Sequence, residues 1–185
     1  MVPGSVVTTY ESKKTHTVTI RYLSPGDFEN LFSYVNAIIA EDTTVMLSGE
    51  PMTRSAEQAY VQTAVGLVEQ GKKIHIVACI GEELVGSAEV RRFDKRKSHV
   101  GEIGISVAKG YRDEGIGRML METLLSEAKA MKLRMLYLHC FETNESAIRL
   151  YESCGFKKAG IVPGMLSYKG TYVGELTMYC ALVSL

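Results

Sequence analysis

The chain has 185 residues, enough for one domain with its own core. Hydrophobic residues make up 46% of it, but no apolar run approaches the roughly 18 residues of a membrane span, and no basic-then-apolar leader opens the chain. Lys plus Arg and Asp plus Glu balance at 21 each, which argues against a protein built to hold nucleic acid.

The first 14 residues read as an N-terminal tail or an edge strand before a single domain at 15–185. "THTVTIRYL" (15–23) alternates and predicts a strand. Ser24, Pro25 and Asp27 then signal a helix start, with the helix running to about Ile39. A polar loop at 41–54 leads to a second amphipathic helix over 55–71, stopped by Gly71. "IHIVACI" (74–80) and "LVGSAEVRRF" (84–93) predict an antiparallel hairpin, and "SHVGEIGISV" (98–107) the next strand. The basic cluster between the last two, Arg91, Arg92, Lys95, Arg96 and Lys97, reads as a solvated turn. A helix to about Met131, a strand at 134–140, a helix at 144–154 and strands at 155–162 and 171–183 complete the chain, the last two joined by a glycine-rich loop. The order is β-α-α-β-β-β-α-β-α-β-β: an α/β (α+β) domain with a mixed, mostly antiparallel central sheet flanked by helices.

Cys79, Cys140, Cys154 and Cys180 show no CxxC spacing and read as buried free thiols of a reducing, cytoplasmic compartment. His16, His75, His99 and His139 form no HxxxH or HExxH pair, so no metal site is expected.

"GYRDEGIGRML" (110–120) places Gly115 and Gly117 where a helix begins. The first N–H groups of a helix lack intrahelical partners and carry the positive end of its dipole. Glycines there admit a bulky anion, and Arg112 and Arg118 add charge, so the stretch reads as a phosphate-binding turn. Close helix–strand packing is the competing explanation for the glycines. A P-loop is excluded by its missing lysine, and a dinucleotide fingerprint by Leu120 in place of a third glycine. The pattern that fits in full is R-x-x-G-x-G, from Arg112 to Gly117.

Downstream, "LYLHCFETNESAIRLYESCGF" (136–156) sets Asn144 at a helix start and Tyr151 two turns later on the same face. At this point the chain resembles the GCN5-related N-acetyltransferase superfamily, in motif order and spacing, closely over roughly residues 74–183. The resemblance implies the acyl-CoA N-acyltransferase fold, acetyl-CoA as cosubstrate and no metal. It implies that the main-chain groups of Ile105, Ser106 and Val107 meet the pantetheine and thioester. The N–H groups of Arg112, Asp113, Glu114, Gly115, Ile116 and Gly117 would hold the pyrophosphate, with Arg118 beside them. Asn144 would bond the pantetheine arm, and Tyr151 would protonate the departing thiolate.

The implied reaction is direct attack of a primary amine on the thioester in a ternary complex. His139 and Glu102 are the two candidates for the base. Tyr168 and Tyr172 are candidates to close over the substrate, an amine that is either a protein or peptide N-terminus or a small molecule. "YKGTYVGELTMY" resembles the family's G-x-Y-x-D-E-x-x-M ending but has Gly174 where Asp is usual, and keeps Glu175. No strongly acidic substrate lobe is visible, which weighs against polyamines. A non-catalytic domain that binds acetyl-CoA and reports its level is the alternative reading. Neither a nucleic acid nor a membrane is an expected partner; the C-terminal strand is a candidate edge for a homodimer.

Overall fold

The structure, a computed structural model, describes residues 1–183. Its elements are β1 (Val6–Glu11), β2 (Thr17–Tyr22), α1 (Phe28–Ala40), α2 (Arg54–Glu69), β3 (Lys73–Ile80), β4 (Glu83–Arg92), β5 (Val100–Val107), α3 (Ile116–Ala130), β6 (Met135–Phe141), α4 (Glu145–Ser153), β7 (Lys157–Tyr168) and β8 (Thr171–Ala181). Short 3-10 turns precede α1, β5 and α3.

The strands form one eight-stranded sheet in the order β1-β2-β3-β4-β5-β6-β8-β7. Alternation makes β2 a half-buried strand: Val18, Ile20 and Tyr22 point into the core, while Thr17, Thr19 and Arg21 are turned away from it. In β3 nearly every residue is buried, because helices cover both faces. Ile74, Ile76 and Ala78 share one core with Ile116, Leu120 and Leu124 of α3. Val77 and Cys79 face the other way, into a second core with Leu31 and Ile38 of α1 and Val61 and Val65 of α2.

The start of α1 is held from both sides. The Asp27 carboxylate accepts from the Ser24 N–H (2.7 Å) and Ser24 Oγ (3.0 Å), and pairs with both terminal nitrogens of Arg21 on β2 (2.5 and 2.7 Å). Burial alone would raise the Asp27 pKa, but the hydrogen bonds from Arg21 and Ser24 outweigh it and hold the carboxyl below its ordinary value.

Two elements differ from the sequence reading. Val6–Glu11 is the edge strand of the two expectations, paired antiparallel with β2. The second is β7, which runs on to Tyr168, so the expected glycine-rich loop shrinks to a tight turn at Lys169–Gly170. Register shifts at Lys158–Gly160 and Val162–Leu166 absorb Gly160, Pro163 and Gly164 as bulges on this outer strand. Of the cysteines, Cys79 and Cys140 are buried, whereas Cys154 and Cys180 are only partly so; all four are free thiols.

Every pair of neighbouring strands is antiparallel except β5 and β6. These two pair in parallel only at Val100↔Met135, Gly101↔Leu136 and Glu102↔Tyr137, and then part. Gly101 lies at the closed end of this fork, where a Cβ would fall 2.5 Å from Val90 Cγ1 and 2.9 Å from the side chains of both Leu133 and Leu136. These are core side chains with no room to yield. Gly101→Ala is therefore expected to destabilise the fold by about 1–3 kcal/mol in urea titration; a wild-type midpoint would show that the fork tolerates a methyl group.

Candidate active site

Where β5 and β6 part, the gap between them passes through the sheet and holds a cavity of about 1090 Å³. Its walls include Leu150 and Tyr151 of α4 on one face, and Tyr34 and Tyr60 of α1 and α2 on the other.

Backbone alternation decides what the β5 edge offers to this gap. Ala108 N–H donates to Val85 O (2.9 Å), and Ser106 lies two residues back on the same antiparallel ladder, opposite Ser87. Ser106 thus turns its N–H to β4, whereas Ile105 and Val107 turn theirs into the gap. Of the three expected main-chain contacts, two face the site. The Ser106 side chain bonds Tyr34 instead (2.9 Å).

At the start of α3, Gly115 is left-handed (φ 90°), and a Cβ there would meet nothing within 4 Å. The space in front of it is open. The N–H groups of Ile116, Gly117 and Arg118 have no intrahelical acceptor, so they can meet an acceptor from outside the helix. Gly117 serves a different end: its Cβ would lie 3.2 Å from Leu150 Cδ2, so its absence lets α4 pack on α3. Packing thus explains Gly117, and the space at Gly115 is open.

The charged side chains of this turn are engaged elsewhere. Arg112 donates from Nε to Val107 O (2.9 Å) and pairs with Glu41 at the end of α1 (2.6 Å), so it is a brace rather than a free phosphate ligand. Glu114 turns away from the cavity and is buried against the β1–β2 turn, where it meets Lys14 (3.0 Å), His16 (3.0 Å) and Ser12 (3.1 Å). The Lys14 bond, with those from His16 and Ser12, outweighs desolvation and lowers its pKa. Arg118 bonds Ser153 Oγ (2.9 Å) and remains half exposed. Asp113 lines the cavity in a left-handed conformation (φ 65°).

Asn144 caps α4. Its Oδ1 accepts from Ala147 N–H (3.2 Å), and its Nδ2 donates to Thr44 O of the α1–α2 loop (3.1 Å), leaving one amide hydrogen for a ligand. Tyr151 is buried on the same helix and lines the cavity. Burial, then the nearby Cys140, pushes its phenol well above the ordinary value of 10.0, so it stays protonated.

His139 lies on β6 among groups from both neighbouring strands. Its Nδ1 is 3.1 Å from Thr177 Oγ1 and 3.5 Å from Glu175 Oε2, both on β8, and its Nε2 is 3.9 Å from Glu102 Oε1 on β5. The ring stands edge-on to Tyr137, with centroids 5.1 Å apart. His139 is part of the cavity wall; the Glu102 carboxylate is ion-paired with Arg91. The two base candidates therefore form one cluster. The place of Asp in the family's ending is also explained: a Cβ on Gly174 would fall 2.6 Å from Glu142 Cδ, and Glu142 accepts the Gly174 N–H (2.7 Å). A carboxylate from the end of β6 fills that space.

Tyr168 reaches across to Asp42 O (3.1 Å) and packs on Phe141, so it fastens the α1–α2 loop. Tyr172 is 81% exposed, and neither tyrosine is among the described residues that line the cavity.

Sequence reasoning missed the polar network on the α1–α2 face of the cavity. His75 is fully enclosed, with Nε2 3.0 Å from Ser87 Oγ and Nδ1 3.3 Å from Tyr60 OH. Glu89 accepts from Tyr60 OH (2.5 Å) and pairs with Lys73 (2.7 Å). Burial would raise the Glu89 pKa, but Lys73, His75 and the Tyr60 bond together lower it. Burial also drives His75 down to about 4, against the pull of Glu89, so the ring is neutral. Glu57, buried on α2, lines the cavity beside this network. A histidine inside the otherwise apolar run "IHIVACI" was the one local signal.

A family model described as the acetyltransferase (GNAT) family matches residues 36–156. The chain is 32% identical over 107 residues to an N-alpha-acetyltransferase 60 of Xenopus tropicalis, covering 51% of this chain and 44% of that protein. It is 28% identical over 112 residues to a spermine/spermidine N(1)-acetyltransferase of Bacillus subtilis, covering 55% of this chain and 74% of the relative. Among solved structures, yncA from Salmonella typhimurium with its cofactor acetyl-CoA superposes with a TM-score of 0.79 at 18% identity, over 91% of this chain and 95% of that one, and so shares the fold.

Two outcomes follow from this geometry. Gly115→Ala is expected to cost about 1 kcal/mol of backbone strain and to weaken acetyl-CoA binding by roughly tenfold or more in calorimetry; unchanged binding would show that the turn is not the anion site. His75 binds its proton in the unfolded chain near pH 6.5 but in the fold only near pH 4. Stability should therefore fall as pH drops from about 6.5 to about 4, by about 3 kcal/mol for this group. In denaturant titrations His75→Asn should flatten that slope, and an unaltered slope would mean that His75 is not its source.

Proposed function

The chain belongs to the acetyltransferase (GNAT) family, and we propose that it moves the acetyl group of acetyl-CoA onto a primary amine in a ternary complex. The observation that carries this reading is the continuous cavity from the glycine turn of α3, through the gap in the sheet, to His139. The fit to acetyl-CoA rests on three features. Open space and unpaired N–H groups at Gly115–Arg118 suit a pyrophosphate. The N–H groups of Ile105 and Val107 suit an amide-bearing arm lying along β5 as a strand would. The spare amide hydrogen of Asn144 suits the same arm. Bound there, acetyl-CoA supplies an acyl thioester to the cavity. The amine acceptor accords with the names of both relatives, one an N-alpha- and the other a polyamine acetyltransferase.

His139 is the base in this reading. An amine of ordinary pKa is protonated at neutral pH and must lose that proton to attack. The hydrogen on Nδ1, assigned from Thr177 and Glu175 as its acceptors, leaves Nε2 as the basic atom. Glu102, 3.9 Å from Nε2 and held by Arg91, bounds the ring from β5 and is a positioning residue. The Val107 N–H donates to the oxygen that gains charge. Tyr151, kept protonated by burial, returns a proton to the departing sulfur.

In a thiol-release assay, His139→Ala should lower kcat/KM by roughly 10²-fold and flatten its rise with pH, and Tyr151→Phe should lower kcat by roughly tenfold or more. The Kd for acetyl-CoA, measured by calorimetry, should change less than either rate. Wild-type rates in both variants would remove these assignments; no binding of acetyl-CoA to the wild type would remove the reading itself.

A further inference from the structure

The α2 end of the cavity closes on a carboxylate, Glu57, to which no cation is paired among the described residues. Glu57 is 2% exposed, lines the cavity, and its Oε1 has no hydrogen-bond partner. The other acids differ: buried Asp27 has Arg21 (2.5 Å), buried Glu114 has Lys14 (3.0 Å), and the partly exposed Glu89 has Lys73 (2.7 Å). Burial raises the Glu57 pKa with no opposing contribution. A buried carboxylate without a partner is costly, and a ligand that brings the missing charge removes the cost.

The surroundings say what kind of ligand. Glu57 precedes Tyr60 by three residues, one helical turn, so the two share a face of α2. Tyr60 bonds Glu89, and Glu89 is paired in register with Gly104 at the edge of the gap. Leu31, Val35, Val45, Met46 and Met52 line the same cavity with apolar surface. The cations that line it, Lys13, Arg112 and Arg118, belong to the other end: Arg112 and Arg118 to the phosphate turn, and Lys13 to the hairpin tip whose N–H bonds Glu114 O. The three cations thus lie at the glycine-turn end, where Arg112 is paired with Glu41 and Arg118 with Glu122, and apolar surface separates them from Glu57 at α2.

We propose that Glu57 anchors a second cationic group of the acceptor, so that the acceptor is an alkyl diamine or polyamine rather than a monoamine. The proposal rests on the transferase reading above and names its substrate class. A small molecule fits better than a peptide because the α1–α2 loop closes over this end. Asn36 holds Met52 through both backbone groups (2.7 and 3.3 Å), Asn144 holds Thr44, and Tyr168 holds Asp42. A diamine ends at Glu57, whereas a peptide would have to continue through the loop. No acidic run announces the anchor, because Glu57 has no other acid beside it in the first turns of α2.

The test compares a series of diaminoalkanes of increasing length with monoamines of equal length, using wild type and Glu57→Gln. Wild-type kcat/KM should favour the diamine by about tenfold or more at the best length, and Glu57→Gln should bring that ratio close to one. With CoA present, the diamine should raise the wild-type Tm more than the monoamine does, and this difference should vanish in the variant. Because the variant loses an unpaired buried charge, it should melt no lower than wild type without ligand, which separates loss of recognition from loss of fold. Turnover of both amines without diamine preference, or a preference unchanged in the variant, overturns the anchor and leaves the transferase reading standing. A diamine-specific Tm shift without turnover of any amine keeps the anchor and overturns the transferase reading. A stronger preference for peptides that begin with lysine overturns the small-molecule assignment.

Discussion

The parting of β5 and β6 is the constraint on which the rest of the molecule depends. A parallel pair needs a crossover, and α3 is that crossover, so a helix start necessarily lies at the open end of the fork. The ladder stops at Glu102↔Tyr137 although both strands continue. Main-chain groups in the middle of a sheet are then left facing each other across a space, and that space connects the two helical layers. The glycine turn, the Tyr151 hydroxyl and the His139 cluster all open onto it. Had the ladder continued, the same residues would line two separate surfaces.

A second theme is the use of buried charge as stitching. Arg21 with Asp27 ties β2 to the start of α1, Lys73 with Glu89 ties β3 to β4 beneath Tyr60, and Lys14 with Glu114 ties the β1–β2 turn to the phosphate turn. Each pair has one buried member, Asp27, Lys73 or Glu114, and removing its partner strands that charge. The front wall of the cavity and its phosphate end are both positioned this way.

Much of this was legible along the chain because the signals were local. The alternation of β2, the R-x-x-G-x-G run, and the seven-residue step from Asn144 to Tyr151 each involve neighbours in sequence. What was not legible depends on residues distant in sequence. Arg112 looks like a phosphate ligand until Glu41, 71 residues away, is seen to hold it. Ser106 looks like a cofactor contact until its ladder partner is known. Pro163 and Gly164 read as a loop, but pairing with β8 carries β7 through them. Glu57, Tyr60, His75 and Glu89 come from three segments, and only folding brings them together.

The pairing of charges around the glycine turn has a consequence for how an anion arrives. Arg112 is matched by Glu41, and Glu114 by Lys14 and His16. The chain as a whole carries formal net charge 0. With Arg118 also paired to Glu122, what would attract an anion at the turn is chiefly the set of free N–H dipoles at the start of α3, whose field fades within the first helical turn. Such a site grips at contact but does not draw its ligand in from a distance. Capture should proceed at the pace of unsteered diffusion and be largely indifferent to ionic strength, unlike a site built from a cluster of exposed lysines and arginines.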